Sequence, residues 1–130
     1  MSLRSALGTA QGQGAAHSGV HHWWMQRLTA LALVPLSFWF VASIVALQRL
    51  SDPYQSLRAW IAQGWTAVLL ILLVLAATWH SRLGVQVVLE DYIVDSGSRT
   101  LAIIVSNFAH ILLAVAGVVA ILRVLFGVPF

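Results

Sequence analysis

Three stretches without a formal charge restrict this chain more than any other feature: Leu28–Gln48, Ala59–Ser81 and Thr100–Leu122. Each is close to the roughly 20 apolar residues that a helix needs to cross a bilayer's hydrocarbon core. Inside that core no water satisfies backbone N–H and C=O groups, and a helix satisfies them internally. The composition points the same way, at 60% hydrophobic and 8% charged. Soluble domains are about half apolar and a quarter charged. The predicted fold is all-α, with three transmembrane helices.

Residues 1–18 are rich in Gly, Ala, Gln and Ser and lack periodicity, so they read as a mobile tail. Residues 19–130 make the three-helix membrane unit. Trp23 and Trp24 suit the aromatic belt at the headgroup level, and Arg27 closes the polar entry to the first span. Pro35 is tolerated inside that span. Ser51-Asp52-Pro53 is a turn signal. The second helix is expected to cover about 59–92, because Leu83, Val87, Val88 and Leu89 continue its apolar pattern. Arg82, Gln86 and Glu90 form a polar stripe at i, i+4 and i+8 on this extension. A loop is expected over Val94–Ser98, and the third span over about 100–122. In that span Ala109, Ala116, Gly117 and Ala120 offer small surfaces for close helix packing.

Seven arginines, no lysine and four acidic residues give a net charge of +3. The arginines are scattered at segment ends, which fits topology-setting charge and not nucleic-acid binding. Three spans put Arg4, Arg27, Arg82 and Arg99 on one side and Arg49, Arg58 and Arg123 on the other. The positive-inside rule then places the N-terminus in the cytoplasm. The chain has no cysteine, so it carries no disulfide, thiolate-ligated iron–sulfur cluster or Cys-based zinc site. No Gly-rich phosphate loop follows a strand. Redox chemistry here would need a metal held by His, with other cofactors on partners.

The residues that close the second window carry the candidate chemistry. They read His-Ser-Arg-Leu-Gly-Val-Gln-Val-Val-Leu-Glu-Asp-Tyr, from His80 to Tyr92. Ionisable groups in a membrane helix are costly and mark functional sites by default. The His80 imidazole is a possible metal ligand. Gly84 lies one turn later on nearly the same face, where a flat macrocycle can approach the backbone. Asp91 returns to that face three turns on, and Tyr92 offers a phenol roughly 18 Å along the axis. The bland reading of His80 is a hydrogen bond to a neighbouring helix. His110 is its competitor in the third span. A bis-His haem on this one chain, from His80 and His110, defines the alternative of a stand-alone b-type cytochrome. Against it, Ser106 is a ready hydrogen-bond partner for His110 one turn earlier. Arg82 is expected to meet Glu90, a propionate or an acidic partner residue.

Gly-Val-His-…-Arg-Leu-Thr-Ala over Gly19–Ala30, and His-…-Gly-…-Gln-Val-…-Asp-Tyr over His80–Tyr92, resemble the hydrophobic membrane anchors of succinate dehydrogenase. The likeness is closest to the second, smaller anchor of the bacterial respiratory complex. It implies an anchor without catalysis of its own, in the bacterial inner membrane, packed beside a second anchor (the cytochrome b subunit). A flavoprotein would oxidise succinate and an iron–sulfur subunit would carry the electrons. The two anchors would share haem b and reduce ubiquinone. By position His80 is similar to the axial haem ligand, and Tyr92 to the tyrosine that donates to the quinone oxygen, with Asp91 beside it. Arg27 matches the basic residue near the haem propionates. Arg82 falls in the same propionate and quinone neighbourhood, and is absent from some family members. Either His21 or His22 can take the family's histidine position.

Overall fold

The computed structural model describes residues 16–128, as four helices with short connections and no strand among them. They are α1 (Ala16–Leu47), α2 (Pro53–Ile61), α3 (Gly64–Tyr92) and α4 (Ser96–Leu125). α1, α3 and α4 are each long and apolar enough to cross a membrane. The expected tail, residues 1–18, lies outside the described residues except for 16–18, whose backbone is helical.

α3 lies between α1 and α4, which do not touch each other among the described residues. A row of three helices buries little. Thr66, Ala67, Leu70 and Leu83 are buried, all on α3. Large apolar side chains such as Leu31, Phe38, Phe108 and Leu112 are exposed. Lipid tails are as apolar as these side chains, so such faces cost nothing in a bilayer. Between helices, small residues matter more. At Gly117 an added Cβ would lie 2.9 Å from Val74 Cγ1, so α3 and α4 meet there at glycine distance. Ala109, Ala116 and Ala120 are exposed and face away from that seam.

Two connections differ from expectation. Ser51-Asp52-Pro53 does not simply turn the chain; it starts a helix. The Asp52 carboxylate accepts from the Gln55 N–H at 3.1 Å, and Pro53 occupies the first turn, where its missing N–H is harmless. The resulting α2 packs Trp60 against Trp39 and Phe40 of α1, with ring centroids 5.4 and 6.4 Å apart. It ends at Ile61, so the second span begins at Gly64 and not at Ala59. Likewise the expected loop over Val94–Ser98 is mostly the first turn of α4. The Asp95 carboxylate accepts from the Ser98 N–H at 2.8 Å and caps the helix. α3 does run on to Tyr92, past Arg82.

Candidate functional site

The site is built where α1 and α3 cross. Thr29 Oγ1 donates to the carbonyls of Met25 at 2.8 Å and Gln26 at 3.0 Å. With its proton used there, the hydroxyl oxygen accepts from His80 Nδ1–H, 3.0 Å away. That fixes the imidazole tautomer and leaves the lone pair on Nε2. The Gln26 amide donates to this atom from 3.4 Å, beyond the usual range for a firm hydrogen bond. Gln26 Oε1 is buried and has no hydrogen-bond partner. Neither does the buried His22 Nε2, one turn earlier on the same face of α1. Gly84 lies opposite: a Cβ there would meet the Gln26 amide nitrogen at 3.7 Å. The half-buried His80 ring is therefore oriented through Nδ1 and weakly occupied at Nε2. Orientation through the second nitrogen is the usual arrangement of a metal-ligating histidine. No cluster of three or more His, Asp or Glu exists among the described residues.

The other candidates stand apart from this crossing. Arg27 adjoins Gln26 in sequence, is exposed, and stacks on Trp23 with its guanidinium carbon 4.4 Å from the ring centroid. Asp91 and Tyr92 are exposed at the end of α3, Tyr92 by 83%, which leaves its phenol free for a ligand. They lie about 18 Å beyond His80 along the helix.

Arg82 faces the other seam. Its Nε donates to Asn107 Oδ1 at 2.7 Å, and its guanidinium carbon lies 5.2 Å from the Trp79 ring centroid. The expected pairing with Glu90 is not made. Glu90 instead accepts from Gln86 Nε2 at 2.8 Å, the nearer member of the stripe. Residues two apart on a helix point about 200° from each other, so His80 and Arg82 cannot share a seam. His110 also belongs to the α4 side. Its Nδ1–H donates to the Ser106 carbonyl at 2.7 Å, and its Nε2 accepts from Ser81 Oγ at 3.1 Å. Both of its nitrogens are satisfied, and His80 and His110 engage different neighbours.

Sequence reasoning passed over Gln26, Thr29, Asn107 and Ser81. Thr29 was legible after the fact: it falls three residues after Gln26 and seven after His22, on one helical face. Asn107 carries no such signal, since nothing in one helix announces which residue of another it will meet.

Compared with known proteins, residues 1–126 match the family model described as succinate dehydrogenase/fumarate reductase transmembrane subunit. The class is thus an integral, multi-pass membrane subunit. The chain belongs to the succinate dehydrogenase/fumarate reductase transmembrane subunit family. It is 35% identical over 120 residues to a succinate dehydrogenase hydrophobic membrane anchor subunit of Rickettsia bellii, covering 92% of this chain and 94% of that one. It is 30% identical over 118 residues to the subunit of the same name from Paracoccus denitrificans, covering 91% and 89%. A succinate dehydrogenase membrane anchor subunit of Reclinomonas americana is 26% identical over 87 residues, covering 66% and 72%. No solved structure matches the chain.

Proposed function

We propose that this chain is the smaller membrane anchor of a succinate:ubiquinone oxidoreductase, supplying one axial ligand to haem b and part of the ubiquinone-reduction site. One observation carries the haem reading: His80 is held through Nδ1 by Thr29, while its Nε2 meets only the Gln26 amide, at 3.4 Å, the same group that a Cβ at Gly84 would meet. The residues fit the group on one condition, that the Gln26 side chain withdraws from Nε2. Its long 3.4 Å contact and its orphaned Oε1 make that withdrawal cheap. His80 would hold the iron, and Arg27, at the level of the same crossing, would face a propionate. Haem b bound there supplies a one-electron store. The second axial ligand falls to a partner anchor, since His110 is spent on Ser106 and Ser81.

The quinone reading rests on the end of α3. The phenol of Tyr92 donates a hydrogen bond to a ubiquinone carbonyl oxygen and stabilises the charge that develops as two electrons arrive. Asp91 sets a carboxylate next to it. The hairpin from Arg82 to Tyr92 and back along the start of α4 reaches about 15 Å beyond the level of Arg82. It exposes Val87, Val88, Val94, Leu101, Ile104 and Val105. Val87, Val88 and Val94 lie outside the uncharged windows, and exposed apolar side chains there suit contact with protein. An iron–sulfur subunit carrying electrons from a flavoprotein, together with the second anchor, is the cover this reading requires. The location is the bacterial inner membrane, with the N-terminus and the hairpin on the cytoplasmic side. Oxidation of succinate and the iron–sulfur relay belong to the partners: this chain has no cysteine to ligate a cluster and no Gly-rich phosphate loop for a flavin nucleotide.

Visible spectra of the chain alone, and of the chain produced with its neighbours, test the haem reading. A b-type spectrum is expected from the assembled complex and not from the chain alone. A b-type spectrum from the chain alone would favour a self-contained cytochrome instead. Tyr92→Phe is expected to lower quinone reduction about tenfold, the worth of one hydrogen bond of ~1.4 kcal/mol, with the haem spectrum intact. Haem loss with unchanged quinone reduction would overturn the Tyr92 assignment.

A further inference from the structure

The α3–α4 seam opens on its outer side into a cavity of about 370 Å³. Arg82, Trp79 and His110 stand at one end, and Leu75, Ala114 and Val115 form the walls. A second void of about 190 Å³ shares Leu75, Ala114 and Val115 and continues to Val118 and Val119. Together they make a groove that runs about 13 Å along α4 from His110 to Val119.

Among the described residues its charged end has no counter-ion. Asn107, a neutral amide, takes one N–H of Arg82, and Trp79 takes a face of the guanidinium. α1 and α4 contain no acidic residue. Glu90 lies two turns further out and is bonded to Gln86. A cation at a helix seam without a carboxylate needs an anion from outside the chain.

The level of Arg82 says where that anion comes from. The uncharged part of α3 ends at Ser81, and that of α1 begins at Leu28, beside the Thr29–His80 bond. Arg82 therefore stands where hydrocarbon gives way to headgroups. The groove points from there into the hydrocarbon. Voids of about 370 and 190 Å³ are too small to take in a helix about 10–12 Å across and suit one acyl chain. We infer that the groove binds an anionic phospholipid, with one acyl chain along Leu75, Ala114 and Val118 and its phosphate on the Arg82 guanidinium. Guanidinium and phosphate pair through two parallel hydrogen bonds, and basic pockets between spanning helices select anionic headgroups. The indole of Trp79, at the same end, lies at the level where membrane tryptophans collect. None of this depends on haem or quinone at the opposite seam.

The test is native mass spectrometry of the chain purified with its membrane partners and titrated with phosphatidylglycerol or phosphatidylcholine. One phosphatidylglycerol per chain is expected to bind, about tenfold more tightly than phosphatidylcholine, the scale of one charge-assisted contact. Arg82→Gln is expected to remove that preference. Ala114→Phe keeps the charge but fills the groove, and is expected to weaken both lipids. If Arg82→Gln fails to assemble, Ala114→Phe still decides. Equal binding of the two lipids to the unaltered protein overturns the inference. So does binding that neither variant changes, and so does a subunit helix lying over Ala114 in the assembled complex.

Discussion

The two seams of α3 are made differently. On the α4 side each polar side chain of the central contact has a firm partner within the chain: Arg82 bonds Asn107 at 2.7 Å through Nε, and His110 bonds Ser106 and Ser81 at 2.7 and 3.1 Å. Backbone approaches side chain at Gly117 and Val74. On the α1 side the matching is incomplete. His80 is firmly held at one nitrogen and loosely at the other, and two buried polar atoms of α1 have no partner. Burying a polar atom unpaired costs roughly 1–3 kcal/mol. A seam that tolerates two such costs is built for something besides holding helices together. The α4 seam fastens two helices through direct bonds, with the lipid groove on its outer side; the α1 seam is where the proposed haem ligand sits.

The sharpest way to break this contrast exchanges the histidines. His80→Ala is expected to abolish the b-type spectrum of the assembled complex, while His110→Ala leaves it in place and lowers thermal stability. The reverse result would assign the ligand to the wrong seam. Next in size is Thr29→Val, which keeps the shape and removes the acceptor for His80 Nδ1–H. Outer-shell partners of this kind are typically worth 10–100-fold in metal affinity. Haem is expected to dissociate faster by about that factor, with a changed midpoint potential. An unaltered potential and off-rate would reduce Thr29 to a helix contact.

The matched seam is probed at Gly117. A methyl group there would stand 2.9 Å from Val74 Cγ1, so Gly117→Ala is expected to cost about 1–3 kcal/mol by overpacking. Val74→Ala in the same chain is expected to recover part of that loss. An alanine at 117 that leaves the melting temperature unchanged would show that the helices are further apart than this. The same change is expected to leave the haem spectrum alone, since α4 does not reach α1.

How far these seams could be read from residue order follows from their physics. Span count comes from runs of apolar residues, a property of single segments, so three helices were legible. His80, Gly84 and the long reach to Tyr92 were legible too, because helical spacing along one segment determines them. Contacts between segments were not. Arg82 and Glu90 share a stripe at i and i+8, yet Gln86 is the nearer partner of Glu90, and Arg82 turns to Asn107 on a helix no spacing rule connects to it. Asp52-Pro53 and Asp95-Ser96 were read as loop chemistry because Asp, Pro, Ser and Gly serve both turns and helix starts. Their carboxylates settle it by bonding to the N–H three residues on.

The smallest expected effect concerns the outer end of the matched seam. The Ser98 N–H and its side-chain hydroxyl, in that order, hold the Asp95 carboxyl below the ordinary aspartate range, with a smaller contribution from the Arg99 charge. A carboxyl whose folded value is depressed adds stability above its unfolded value and loses it as pH falls through the folded one. The cap is thus complete at neutral pH and released below about pH 4. Amide exchange at Ser98 and Arg99, corrected for intrinsic rate, is expected to quicken on acidification through that window. Asn caps nearly as well as Asp without titrating, so Asp95→Asn is expected to flatten the pH dependence, and Asp95→Ala to remove protection at every pH. Fraying should stop by Asn107, where the bond to Arg82 clamps α4 to α3. If exchange instead quickens past Asn107 as far as His110, the clamp depends on the cap, and the matched seam is weaker than its short hydrogen bonds imply.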